Sequence, residues 1–311
     1  MNRQTRWNAA AMPDQSGCTA VVTGASSGLG EVTARELARK GARVVLAVRS
    51  LPKGESSAAG IRAAVPGAQV EVRELDLSSL ASVRACAAAI EADLPAVDLL
   101  VNNAGIMMTP ARRTVDGFEL QLGTNHLGHF ALTGLLLPSL GRAAGPRVVT
   151  VSSIEHKPGV IHFDDLQLEQ DYGPRKAYQQ SKMANAVFAL EFDRRLRAAG
   201  SPIVSVLAHP GYSDTKLQST GPTGLAKLAM RVGNAVFAQS AEQGALPQLY
   251  AACAPGVEGG QFFGPSGFQE MRGDVTEVQA VPAAHDREIG RRLWAVSEEL
   301  TGVSYGLPAA S

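Results

Sequence analysis

Cysteine is scarce in this chain. Only Cys18, Cys86 and Cys253 occur in 311 residues. They are odd in number, widely separated and form no CxxC pair, which excludes a disulfide scaffold and suits buried thiols in a reducing compartment. An excess of charge of one sign is also missing, because 29 basic residues balance 29 acidic ones. That argues against a nucleic-acid partner, which needs a basic surface. Long apolar runs are missing as well. The longest, residues 130–140, is interrupted by Thr133, Gly134 and Pro138 and is too short to span a bilayer. Residues 1–17 are polar and alanine-rich, with no apolar core for a signal peptide. No internal repeat, low-complexity tract or interdomain linker stands out. The expectation is a soluble cytoplasmic protein without a transmembrane segment.

What is present is a regular alternation, with enough apolar residues (45%) to build a full core. Short β-branched runs at residues 19–23, 43–48, 70–75, 97–102, 147–152, 203–208 and 261–263 read as strands. Several are apolar almost without a break, as Val148-Val149-Thr150-Val151 is. Strands buried on both faces of a parallel sheet read that way. Helical patterns lie between them. Residues 31–40 end at Gly41, a natural stop, and residues 79–94 carry apolar side chains at helical spacing and stop before Pro95. The pattern predicts an α/β, doubly wound Rossmann fold of about seven parallel strands with helices on both faces. Residues 1–16 read as a flexible extension and 17–311 as one domain. Two stretches break the rhythm after strand ends, 154–176 and 212–235, and read as substrate loops. From Gly264 onward the tail reads as a surface wrap with one helix at 286–300.

The chemistry begins at Gly24, Gly28 and Gly30, between the first strand and its helix. Glycine lets a backbone turn sharply and lets a phosphate approach unobstructed. A helix N-terminus then offers free N–H groups and positive dipole, and Ser26 and Ser27 add hydroxyls beside Leu29. Position after a first strand raises this signal above an ordinary glycine turn. A nicotinamide dinucleotide follows as cofactor. Where an NAD-binding sheet usually places an acid, at the end of the second strand, this chain has Arg49. A guanidinium suits a 2′-phosphate, so NADP(H) is preferred, with NAD(H) possible. Asp76, with Leu77 beside it, could reach the adenine, or could equally cap the next helix.

Tyr178 and Lys182 stand four apart, on one face of a helix. A free tyrosine, with a pKa of about 10, is a poor base at neutral pH, and a nearby ammonium favours its phenolate. Ser153, at the fifth strand's end, can orient a substrate oxygen. Tyr178 would give a proton to a carbonyl oxygen in reduction and remove one from an alcohol in oxidation. A lone Y-x-x-x-K is common by chance. Its place after Ser152-Ser153 and the glycine loop gives it weight.

Together these residues resemble the short-chain dehydrogenase/reductase family. Thr23 to Gly30, Asn102-Asn103-Ala104-Gly105, Asn125, Ser153, Tyr178-x-x-x-Lys182 and Pro210-Gly211 follow in family order across about residues 17–300. Asn125-His126-Leu127-Gly128-His129-Phe130, the long insertion between Ser153 and Tyr178, Lys53-Gly54-Glu55 and Met107-Met108 are similar to the retinol dehydrogenase-like branch. The tail motifs, Gly264-Pro265-x-Gly267 and Glu270-Met271-Arg272-Gly273, are similar to soluble bacterial members. The resemblance implies that Asn125 holds a helix bend and a water in a proton relay from Lys182. It makes Ser153 catalytic and Ser152 structural, and puts Asn103, Ala104 and Gly105 along the cofactor ribose. It places Pro210, Gly211, Ser213 and Thr215 around the nicotinamide and phosphates. Pairing of the Asn125 and Tyr178 helices would make a homo-oligomer. The faces of Ala184, Ala186, Ala189 and Leu190 allow that, and suit intramolecular packing equally. Membrane-bound vertebrate retinol dehydrogenases have an N-terminal membrane segment that this chain lacks, so retinoid specificity is not implied.

Other features carry blander readings. His126 and His129 lack further ligands at metal spacing and read as helix packing, so no metal is expected. Asp164-Asp165 reads as a solvated or capping pair. His156 reads as a surface-loop histidine that could touch substrate. Leu217, Leu225, Leu228 and Met230 form an apolar stripe that could be a substrate lid, a membrane-touching surface or a subunit contact, and a lid helix fits its place best. The leading function is an oxidoreductase for a lipophilic carbonyl or alcohol. A carbon–carbon double-bond reductase is the alternative, and a non-catalytic NADP(H) sensor is a third reading that the intact Tyr–Lys pair disfavours.

Overall fold

A computed structural model describes residues 7–212 and 239–309. Eight strands form one sheet: β1 (Thr19–Thr23), β2 (Arg43–Val48), β3 (Val70–Glu74), β4 (Leu99–Asn102), β5 (Arg147–Val151), β6 (Val204–Ala208), β7 (Phe262–Pro265) and β8 (Val275–Val278). Their order is β3-β2-β1-β4-β5-β6-β7-β8. The first seven run parallel, with Thr19 opposite Arg43 and Ala20 opposite Leu99. β8 returns antiparallel to β7, with Phe262 opposite Val278. Chain order reverses at β1 and β4, so a crevice opens there beyond the strands' carboxyl ends.

Alternation within the continuous apolar runs divides the core. Ala20, Val22, Val44 and Leu46 pack on one face of the sheet, and Val21, Val45, Leu100 and Val148 on the other. Helices cover both faces of the central strands, which are buried almost throughout, whereas the edge strands β3 and β8 stay partly exposed. α1 (Gly28–Arg39) closes against Gly41, whose φ of 93° only glycine adopts easily. Ser79 caps the helix Leu80–Asp93 by accepting from Ser82 N. The helix Pro174–Ala198 is long, and its faces are buried almost all round. Ala184, Ala186, Ala189 and Leu190 lie within a cluster completed by Leu293, Ala284 and Phe262. The open reading of those four positions therefore resolves toward packing inside this chain.

Two local expectations are corrected. The tail is not only a wrap, because it contributes β8, whose half-exposed Val-Thr-Glu-Val is too polar to read as a buried strand. Its helix is Arg287–Thr301, capped by Asp286, close to the expected span. Residues 7–16 do not trail as a flexible extension. Trp7 meets the Tyr250 ring edge-on at 5.1 Å, Met12 is buried, and Lys40 Nζ donates to Ala10 O. Among the described residues no helix is long and apolar enough to cross a membrane.

Candidate active site

The glycine loop is held by the end of β4. Thr23 Oγ1 accepts from Asn103 N and Ala104 N, both at 2.9 Å, and lies 2.9 Å from His129 Nε2. His129 Nδ1 lies 2.9 Å from the carbonyl of Asn125, so Nδ1 carries the hydrogen. Burial pushes this imidazole down to about 4, so it is neutral and its Nε2 accepts from Thr23. Asn103 Nδ2 donates to Thr23 O at 2.8 Å, and Asn103 Oδ1 accepts from Gln248. The Asn103 amide is thus committed to bracing the loop, while its residue still lines the cleft.

Space explains two of the glycines. Gly24 has φ 69°, and a Cβ there would come within 2.9 Å of the Ala104 methyl. A Cβ on Gly30 would lie 2.6 Å from both Asn103 Nδ2 and Gly24 O. Gly30→Ala is therefore expected to destabilise the fold by about 1–3 kcal/mol through overpacking, read as a fall in Tm, and to weaken nicotinamide nucleotide binding. An unchanged Tm with unchanged binding would remove Gly30 from this role. Ser27 stands at the N-cap of α1 in extended conformation and makes no side-chain cap, leaving the helix's first N–H groups to the cleft.

That cleft has a volume of about 710 Å³. Gly24, Ser26, Ser27, Gly28, Leu29, Gly30, Arg49, Asp76, Leu77, Asn103, Ala104, Gly105, Ser153, Tyr178, Lys182, Pro210 and Gly211 all line it. One continuous wall thus unites segments that are almost two hundred residues apart. Arg49 is exposed at the end of β2, near Lys53, and no carboxylate among the described residues pairs with either. Asp76 does not cap the following helix, since Ser79 does. Asp76 Oδ1 instead accepts from Ser78 N and Ser78 Oγ, and the residue faces the cleft. Ser213 and Thr215, the loop 213–235 and the apolar stripe Leu217, Leu225, Leu228 and Met230 lie outside the described residues.

At the opposite end, Tyr178, Ser153 and Lys182 converge. Burial pushes the Tyr178 phenol up to about 12; the Ser153 hydroxyl pulls it back and the Glu155 charge adds to the rise. Burial also lowers the Lys182 ammonium to about 8. Lys182 Nζ sits 5.8 Å from the centre of the Tyr178 ring and donates to Val151 O at 3.1 Å. The expected lowering of the phenol by Lys182 is therefore overridden here by desolvation, and Tyr178 is a protonated group at neutral pH. Ser152 also lines the cleft, but its Oγ is committed to Lys182 O, to which it donates at 2.8 Å. Ser153 accepts from Glu155 N and faces the cleft.

Asn125 lies in the π-turn Gly123–Leu127. Its Oδ1 accepts from Ile106 N, and its Nδ2 donates to Ile106 O and Ser181 Oγ. Its side chain clamps the chain beyond β4 to the helix of Tyr178, and it is fully buried behind the cleft wall. His126 is buried and bonds Ser297. His156 is not a surface histidine. It is fully buried, with Nδ1 2.6 Å from Ser153 O and its ring against Phe262, and does not line the cleft. Asp165 Oδ1 and Oδ2 accept from Glu169 N and Gln170 N, a turn cap, and Asp164 pairs with Arg292.

The contacts that hold the Pro210-Gly211 turn gave no sequence signal. Gly211, with φ 64°, donates its N–H to His209 Nδ1, whose Nε2 donates to Glu270 Oε2. Glu270 also pairs with Lys157, and these bonds hold its carboxyl down at about 2. The tail therefore fastens the Pro210-Gly211 turn in place. Tail and turn are about sixty residues apart, and only folding brings them together.

A doubly wound sheet, a glycine loop over a free helix N-terminus and a Ser–Tyr–Lys cluster at the other end of one cleft define a nicotinamide-dependent oxidoreductase fold. The chain belongs to the short-chain dehydrogenase/reductase family, and it is an oxidoreductase of that NAD(P)-binding family. The family model for short chain dehydrogenase matches residues 18–224. The chain is 43% identical to a polyprenol dehydrogenase of Mus musculus over 299 residues, 95% of this chain and 87% of that one. It is 42% identical to retinol dehydrogenase 12 of Homo sapiens over 291 residues, 93% of this chain and 88% of that one. Among solved structures, an uncharacterized protein from Mycobacterium paratuberculosis is 47% identical with a TM-score of 0.81, covering 97% of this chain and 100% of that one. The RhlG/NADP complex of Pseudomonas aeruginosa is 25% identical with a TM-score of 0.64, covering 80% and 94%.

Proposed function

We propose that this protein interconverts a carbonyl and an alcohol on a lipophilic small molecule with NADP(H), using Tyr178 as the acid and base. The observation that carries the reading is the convergence of Tyr178, Ser153 and Lys182 at one end of the cleft that the glycine loop opens at the other. Ile106, Met107, Met108 and Ile154 line the same cleft and suit an apolar substrate. The relatives named as polyprenol and retinol dehydrogenases support the alcohol–carbonyl assignment. Arg49 and Lys53 support NADP(H), as does the NADP complex of the Pseudomonas neighbour.

The residues fit the cofactor because Gly24, Gly28 and Gly30 line the cleft beside an uncapped helix N-terminus, whose free N–H groups suit a phosphate. When bound, the nicotinamide supplies or accepts the hydride. In reduction, the protonated Tyr178 hydroxyl gives its proton to the carbonyl oxygen. Ser153 donates a hydrogen bond that orients that oxygen, and Lys182 holds the ribose hydroxyls while its charge favours the phenolate left on Tyr178. Asn125 sits in the π-turn behind this group and, as the family resemblance implies, would hold a water in a proton relay from Lys182.

The direct test follows NADPH absorbance with aldehydes, ketones, quinones and enones, and identifies products by mass. Turnover of aldehydes or ketones to alcohols is expected. Reduction confined to the double bond of enones would replace the reading, and binding without turnover would favour a sensor. Arg49→Asp should weaken NADPH roughly ten- to a hundredfold, by loss of a charge-assisted contact, while NADH changes little. An unchanged NADPH/NADH preference would remove Arg49 from the 2′-phosphate site.

A further inference from the structure

We infer that Glu155 is a specificity-determining residue that turns the substrate end of the cleft against carboxylate-bearing substrates and toward neutral carbonyl compounds. The inference rests on the carbonyl–alcohol reading above and narrows its substrate class.

Glu155 is placed by the serine that precedes it by two. Ser153 Oγ accepts from Glu155 N at 3.2 Å, so the chain turns at once into the short helix Ile154–His156. That turn brings Glu155 onto the cleft wall together with Ser153 and Tyr178. Its carboxylate is not free to swing away. Arg175 Nε and Nη2 hold it from 3.1 and 2.9 Å, and Gln179 Nε2 donates to it at 2.7 Å. Residues 175 and 179 stand on the Tyr178 helix, one on either side of Tyr178 in sequence.

The ion pair does not cancel the charge within the site. Arg175 is two-thirds exposed, and Glu155 only about one-fifth, so solvent screens the cation more than the anion. Burial would raise the Glu155 carboxyl, but the bonds from Arg175 and Gln179 hold it below the usual carboxylate range, so it is ionised at neutral pH. Its charge reaches Tyr178, whose phenol it pushes further up. Among the described residues the other charged group beside Tyr178 is Lys182, which lines the same cleft. It is buried with its Nζ on Val151 O and would be engaged by the ribose, which leaves Glu155 as the charge turned to the substrate. Arg49 and Lys53 lie at the glycine-loop end. The cleft is thus polarised, cationic where the nucleotide phosphates would sit and anionic where the substrate carbonyl would sit. A substrate carboxylate entering there would be repelled.

The test compares two aldehydes of the same shape, methyl 4-formylbenzoate and 4-carboxybenzaldehyde, in the wild type and in Glu155→Gln. The amide keeps the size and one acceptor oxygen, so one of the two bonds from Arg175 is retained and the other is lost. The kcat/KM ratio of acid to ester is expected to rise about tenfold in E155Q, the effect of one like charge in a partly screened site. It should also rise with added salt in the wild type but not in the variant. A ratio that stays within twofold, while the wild type turns over the ester, overturns the inference and leaves the carbonyl reading standing. If the wild type turns over neither aldehyde, the carbonyl reading fails. The charge is then read from the tyrosinate absorbance of Tyr178, taken as the difference from Y178F. Its titration should move to lower pH in E155Q, and an unmoved titration overturns the inference in that case too.

Discussion

Tyr178→Phe should lower kcat at least a hundred- to ten-thousandfold, the range that a positioned acid–base group contributes, while NADPH affinity stays within a few-fold. The ring is buried, so phenylalanine fills the same space and only the hydroxyl is lost. Lys182→Ala should damage both catalysis and NADPH binding, because one ammonium serves the proton step and the ribose. The raised phenol and lowered ammonium also set the pH dependence. Tyr178, at about 12, stays protonated through neutral pH and supplies a proton without a prior ionisation. Lys182, at about 8, loses its charge as pH rises through that value. Reduction should therefore hold level below about pH 7 and decline above about pH 8, whereas alcohol oxidation should gain as pH rises because the tyrosine must first be deprotonated. Initial rates in both directions would check this. Wild-type turnover in the Phe variant would sink the assignment of Tyr178.

Ser153→Ala should cost about a hundred- to a thousandfold in kcat, the usual loss when a donor to a developing oxyanion is removed. Ser152→Ala should cost far less in rate and somewhat more in stability, because the Ser152 hydroxyl donates to Lys182 O inside the fold. Both serines line the cleft, but the Ser152 hydroxyl is committed to Lys182 O, which leaves that of Ser153 for the substrate. Single-turnover rates for each variant, with folding verified by circular dichroism, decide between them. A larger loss at Ser152 reverses the roles. Small, equal losses would point away from carbonyl chemistry and toward double-bond reduction.

The sequence alone determined the sheet, the glycine loop and the Ser–Tyr–Lys group, because each depends on local chemistry. Buried parallel strands must be apolar throughout, a phosphate cradle needs glycine at fixed offsets from a strand, and a tyrosine and lysine four apart share a helix face wherever that helix packs. Arg49 at the end of β2 was legible for the same reason. Tertiary structure alone decided what depends on desolvation and on contacts between distant segments. Burial, not the neighbouring lysine, dominates the Tyr178 phenol. Asp76 lines the cleft and leaves the helix cap to Ser79. His156, in a polar stretch, is buried against Phe262 because β7 passes beneath it. The β8 strand exists because its half-polar residues pair with β7 in antiparallel register, a partner no local pattern announces. Glu155 and the Glu270–His209 bond gave no signal, since charge at a surface position and charge aimed into a cleft are written with the same letter. Only the folded chain places one carboxylate beside Tyr178 and the other behind Gly211.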